Sequence, residues 1–276
     1  MLKNDEKIEA SLLMSISEFD FRRDCIINSL KGISIQEVPF PFELCLIDDA
    51  SNLKPSDIKR FIESYFKKNQ VPNLKRIAIK SLKHKAGFTS APSQCMKLVS
   101  PESNKMIVLA SDCIFLQKDA IKNLCDRVGS KKPVFSEVAE IDIKPDFYKD
   151  FDVNAESCLR AWPHHLARQP FMVSRIIPNS WLFFAGAALK EDLLNIGYDE
   201  VSCDAVLWQK MMPANYNAEI LTYVRVAHQS HPRIAYPCPR VTECEFFCSR
   251  TRELKGTQHP AERRSARVVI DPEEYQ

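Results

Sequence analysis

Short apolar runs and amphipathic stretches take turns along the first half of the chain. Residues 10–16 form an apolar run that reads as a strand, and within 22–30 the positions Ile26, Ile27 and Leu30 suit one face of a helix. Residues 42–47 are apolar and stop at Asp48-Asp49, the pattern of a buried parallel strand that opens into a polar loop. A second helix is expected over 57–66, with Ile58, Phe61 or Ile62, and Tyr65 on one face and Ser56 as its N-cap. A third strand over 74–79, a helix over 92–99, a fourth strand over 105–109 ending in Ala110-Ser111-Asp112, and a helix over 120–128 complete the series.

Strand and helix in this order predict an α/β fold: a mostly parallel sheet covered by helices, with ligands bound at the carboxyl ends of the strands. Past Lys131 the alternation stops. Residues 133–143 alternate polar and apolar positions, and an irregular stretch rich in Trp, His, Pro and Arg follows as far as Pro178. This half is expected to build the second wall of the site. Residues 237–276 hold Pro237, Pro239, Pro260 and the basic pair Arg263-Arg264 with few apolar runs, which predicts a cover segment or a partly disordered tail.

Composition narrows the choices. With 276 residues, 45% of them hydrophobic, the chain is long enough for one large domain with a full core. A formal charge of +2 provides no field that argues for nucleic acid or an anionic membrane. The amino-terminal residues are charged and the first apolar run is too short for a signal or a span, so a cytoplasmic protein without a transmembrane segment is expected, peripheral membrane contact staying open. The 10 cysteines are scattered singly through apolar segments and read as buried thiols; Cys238, Cys244 and Cys248 lack the spacing of a zinc site. Only 6 glycines occur, and neither a P-loop nor a dinucleotide fingerprint is present.

The candidate chemistry is acidic. Asp48-Asp49, Asp112, and Asp199-Glu200 with Asp204 stand at the ends of apolar segments, and carboxylates converging from several loops suit a divalent cation that neutralises a diphosphate. Lys83, in the run from Lys80 to Lys85, would bring positive charge to phosphate, or is simply a solvated basic loop. Trp181 and the aromatic residues after it fit a stacking surface or an apolar strand equally, and Trp208 fits the core.

These residues also carry a resemblance. Ala10-Ser-Leu-Leu-Met14, Leu44-Cys-Leu-Ile-Asp-Asp-Ala-Ser51, Ala86-Gly87, Met106-Ile-Val-Leu-Ala-Ser-Asp112, Ala185-Gly186, Ile196-Gly-Tyr-Asp-Glu200, Asp204-Ala-Val-Leu207 and His228-Gln-Ser-His231 follow one another as do the motifs of family 2 glycosyltransferases, over about residues 10–233. The resemblance implies a GT-A fold over 1–236, with a nucleotide-sugar half at 10–130 and an acceptor half at 131–236. It implies inverting transfer from a nucleotide-diphospho-sugar to a saccharide, lipid-linked or protein acceptor, helped by Mn2+ or Mg2+, with no nucleic-acid partner. Ser15, Ser17, Asp48, Asp49, Lys83, Ser111 and Asp112 would then bind the donor. Asp112 would hold the metal, joined by His231 or by His228, and Asp204 would be the general base, with Asp199 and Glu200 as alternatives. Ala110 replaces the first acid of the D-x-D motif, Pro92-Ser93 stand where many members have Arg-Asn, and Cys203 replaces a Glu. These departures motivate a second expectation, a non-catalytic binder of nucleotide-sugar or glycan; a nucleotidyltransferase ranks last because its Gly-rich loop is missing.

Overall fold

The computed structural model describes residues 7–16, 19–84, 86, 90–141, 185–198, 216–229 and 267–269. Among them the chain runs β1 (Ala10–Ile16), α1 (Phe19–Ser34), β2 (Phe42–Asp48), α2 (Pro55–Lys68), β3 (Leu74–Ser81), α3 (Ser90–Gln94) with a 3-10 turn over Cys95–Leu98, β4 (Lys105–Ala110), β5 (Cys113–Phe115), α4 (Ala120–Arg127), β6 (Val134–Ile141), β7 (Ala185–Leu189), α5 (Lys190–Asn195), β8 (Glu219–Gln229) and β9 (Arg267–Val269). The expected elements up to α4 are all present.

One sheet takes in every described strand, in the order β3-β2-β1-β4-β7-β6-β8-β5, with β9 also on β8. β3, β2, β1 and β4 are mutually parallel, whereas β7 is antiparallel to both β4 and β6. The chain winds outward from β1 through β2 to β3, then returns to place β4 on the other side of β1. That reversal between β1 and β4 is the topological switch point at which open α/β sheets hold ligands. β1 is buried on both faces, with Ala10, Leu12, Leu13, Met14 and Ile16 fully inaccessible, as a central parallel strand requires.

Two local readings are corrected. Helix α2 begins one residue earlier than its expected cap: Lys54 is the N-cap and Pro55 fills the first turn, where its fixed φ and missing N–H cost nothing, so Ser56 is not the cap. The buried stripe of α2 is Ile58, Ile62 and Phe66, with Phe61 and Tyr65 only partly covered. Beyond Lys131 the alternating residues form β6, which with β7 and β8 continues the first sheet. Of residues 237–276, Arg267–Val269 is described, and it pairs in parallel with β8.

Cys25, Cys45, Cys95, Cys113 and Cys125 are buried thiols outside any disulfide, as the scattered pattern predicted. Burial pushes the thiols of Cys95 and Cys125 up to about 12. Among the described residues no helix is long and apolar enough to cross a membrane.

Candidate donor and cation site

The carboxyl ends of β1, β2 and β4 lie level. Ile16 pairs with Asp48, Ser15 with both Ile47 and Ala110, and Asp48 with Ser81. The acids that the pattern placed after β2 and β4 therefore stand at one sheet edge, around the switch point. Asp48 and Asp49 are 1% and 3% exposed. The Asp49 amide donates to the Ile16 carbonyl at 2.8 Å, which carries the pairing one residue past the strand before Ala50 turns the chain at φ 52°. The Asp48 carboxylate accepts from the Ser51 amide at 3.2 Å. That of Asp49 accepts from the Ala86 amide at 2.6 Å and so ties the loop after β3 to the end of β2. Ser15 is half-buried, and Lys83 is exposed in the loop after β3.

After β4 only Ser111 and Asp112 precede β5, and both are buried. The Asp112 carboxylate faces His228 of β8, Oδ2 to Nε2 3.6 Å, with both side chains largely enclosed. A register shift in β8 delivers this histidine. Ser136 pairs with Leu221 but Glu137 with Arg225, so Thr222, Tyr223 and Val224 are extra to the β6 ladder. Ahead of that bulge β8 pairs with β9; after it, β8 pairs with β5, setting Cys113 opposite His228. Burial, and next the Asp112 charge, push the Cys113 thiol well up, so it stays a neutral thiol beside the carboxylate.

The Asp112–His228 pair suits a divalent ion. Bonds of roughly 2.0–2.2 Å at tetrahedral to octahedral angles set two ligand atoms about 3.0–3.6 Å apart, and a carboxylate with an imidazole is a donor set that first-row divalent ions accept. No cluster of three or more His, Cys, Asp or Glu forms among the described residues, and Ala110 occupies the place level with Ser15 where a further carboxylate would stand.

Of the two expected histidines only His228 is described, and it faces Asp112. Ser17, Asp199, Glu200, Asp204 and His231 lie outside the described residues, as do Trp181, Cys203 and Trp208. The lead-in to Asp199 is described. Helix α5 closes with the Gly197 amide on the Leu194 carbonyl and the Tyr198 amide on the Leu193 carbonyl, both 2.9 Å, around Gly197 at φ 71°. This pair of reversed bonds needs a left-handed residue, which explains the glycine in the Ile196-Gly-Tyr stretch without invoking a ligand. Gly186, likewise, is an interior residue of β7 between Val108 and Phe135.

Sequence reasoning missed the buried residues behind Asp112. The Gln229 side chain donates to the carbonyls of Asp112 and Cys25 at 3.1 and 3.2 Å, and accepts from Asn28 at 2.9 Å. Ser29 donates to the Ser111 carbonyl at 2.7 Å. The available signal was a polar Asn28-Ser29 pair set inside an apolar helix face. Gly32, on the same helix, lets α1 lie close on β5: a Cβ there would sit 2.8 Å from the Phe115 backbone nitrogen.

No protein-family model matches this sequence, and neither does any curated protein. Solved structures do match. The mannosyltransferase PcManGT from Pyrobaculum calidifontis, in complex with GDP-Man and Mn2+, superposes with a TM-score of 0.52 and 17% identity over 85% of this chain and 60% of that one. Residues 1–349 of S. aureus TarS with UDP-GlcNAc superpose with a TM-score of 0.54 and 12% identity over 83% and 62%. GalNAc-T7 with UDP, GalNAc and Mn2+ superposes with a TM-score of 0.53 and 10% identity over 85% and 46%. The chain thus has the GT-A fold, a mixed α/β architecture shared with nucleotide-sugar transferases. It spans about 60% of the length of the first two of these structures and less of the third.

Proposed function

We propose that this protein is a glycosyltransferase that takes a hexosyl group from a nucleotide-diphospho-sugar and transfers it, with inversion, to a saccharide, lipid-linked or protein acceptor. The observation that carries the reading is the gathering of buried acids at the switch point of a GT-A sheet, with Asp48 and Asp49 after β2 and Asp112 facing His228 after β4. Neighbours of the same fold hold GDP-Man, or UDP-GlcNAc, or UDP with Mn2+.

In this reading Ser15, Ser17, Asp48 and Asp49 receive the nucleoside, and Lys83 and Ser111 approach the phosphates. Asp112 and His228 hold Mn2+ or Mg2+, with His231 as a further candidate. The cation, when bound, neutralises charge on the departing diphosphate. Asp204, or Asp199 or Glu200, takes the acceptor hydroxyl's proton. The protein would act in the cytoplasm, in the making of a polysaccharide or another glycan.

A second reading keeps the fold and the donor site but not turnover. Ala110, level with Ser15, favours it, because one acid of the usual pair is gone. Calorimetric titration with UDP, GDP, CDP and dTDP, each with and without Mn2+, tests both. Metal-dependent binding of one nucleotide that Asp112→Ala abolishes is expected, followed by turnover with a matching donor sugar. Binding without turnover across a broad donor panel leaves the non-catalytic reading. No binding by any nucleotide, or binding unchanged in Asp112→Ala, overturns the site.

A further inference from the structure

The two-residue link that carries Asp112 is gripped from behind by polar groups taking no part in the proposed chemistry. The Asp112 carbonyl accepts twice, from the Gln229 backbone amide at 2.8 Å and from Gln229 Nε2 at 3.1 Å, which occupies both of its lone pairs. The second hydrogen of that amide group goes to the Cys25 carbonyl of α1, and Oε1 accepts from Asn28 Nδ2. Every donor hydrogen of the Gln229 side chain is spent on backbone. Gln229 is wholly inaccessible and Asn28 is 7% exposed.

A buried amide of this kind is costly to desolvate and repays the cost only when each bond is made, so its bonds select one arrangement of the segments they join. The segments here are α1, the Ser111-Asp112 link and the end of β8. Gln229 directly follows His228, so one residue fixes the backbone of both members of the Asp112–His228 pair. An error of a fraction of an ångström at either member would spoil their convergence on one ion.

We propose that Gln229, anchored by Asn28, is the positioning residue of the cation site: it sets the Asp112 carboxylate opposite His228. This rests on the reading of that pair as cation ligands. It distinguishes the brace from the similarly buried Gln36, whose amide donates to the Gly32 and Gln117 carbonyls and accepts from the Ile121 amide, with no bond to the Asp112 link.

The test is loss of the free Mn2+ electron-paramagnetic signal on titration of the full chain, in the presence of UDP and, in parallel, GDP. Circular dichroism and thermal melting report folding. Gln229→Met and Asn28→Leu, both near-isosteric and without the amide, are expected to fold and to bind Mn2+ about 10- to 100-fold more weakly than wild type. Gln36→Met should lose stability comparably and bind Mn2+ as wild type does. Wild-type affinity in folded Gln229→Met overturns the inference while Asp112→Ala, if it loses Mn2+, leaves the site standing. Equal weakening in Gln36→Met also overturns it, since the effect is then general loosening. Should Gln229→Met fail to fold, Asn28→Leu decides by the same criterion. A wild-type chain that binds no Mn2+ overturns the cation site and this inference together.

Discussion

The two ends of β2 both carry a buried acid, and they are built differently. At the amino end, Glu43 is fully inaccessible. Its carboxylate accepts from the Ser11 hydroxyl at 2.6 Å and from the Ser100 amide and hydroxyl at 2.7 and 2.8 Å, and it pairs with the Arg76 guanidinium. At the carboxyl end, Asp48 and Asp49 accept from the amides of Ser51 and Ala86, and nearby Asp112 faces an imidazole. One acid is locked by an arginine, two hydroxyls and an amide, which is what a structural carboxylate needs. The others stand at the switch point, Asp48 and Asp49 held by backbone amides and Asp112 facing His228, and in the proposed reading a bound cation would offset their charge together with that of a diphosphate. Burial alone therefore does not separate a structural acid from a candidate site acid; the partners do.

Removing the locked acid should have the largest effect on stability. Glu43→Ala removes the buried acceptor of the Ser11 hydroxyl and of the Ser100 amide and hydroxyl, while half-exposed Arg76 keeps the Leu98 carbonyl and water. The change is expected to cost about 3 kcal/mol in urea unfolding while leaving nucleotide binding unchanged. A loss of binding without a loss of stability would reverse the roles assigned to the two ends. Arg76→Met leaves the carboxylate its hydroxyl and amide donors. Arg76 is 45% exposed and solvent already screens it, so a smaller loss of about 1–2 kcal/mol is expected.

Asp112→Asn sharpens the contrast from the other end. It keeps shape and backbone, so unfolding should move by less than ~1 kcal/mol, while Mn2+-dependent nucleotide binding falls at least about 100-fold by calorimetry.

The thiols give the smallest effect at neutral pH. Cys95 and Cys125 are raised from 9.0 to about 12 by burial, so the native state keeps protons that the unfolded chain loses. Their contribution is complete below pH 9 and is lost as the pH rises toward 12, so the urea midpoint should fall progressively above about pH 9. Alkylation mapped by mass spectrometry at about pH 8 should leave both unmodified until the chain is unfolded.

Much of the first half was legible because its signals are local. The apolar run 42–47 ends at an acid wherever it is placed, and Ile58 with Ile62 follows from helical spacing, although Phe66 rather than Tyr65 completes the buried stripe. The start of α2 was misread because a serine competes with a proline for the first turn, and proline's fixed φ prevailed. In the candidate site Asp48, Asp49 and Asp112 were readable as acids after strands. The brace of Asn28 and Gln229 was not, since its partners are 201 positions apart.

The sequence by itself determined most of the alternation of strands and helices from β1 to α4, the burial of the five described thiols and the placing of acids at strand ends, because each follows from period, polarity and chain order. Only the tertiary structure decided that β4 returns to the far side of β1, that a bulge in β8 brings His228 to Asp112, and that Glu43 is paired with Arg76 while Asp112 faces His228. Those outcomes depend on register and on contacts between distant segments, which no local pattern encodes.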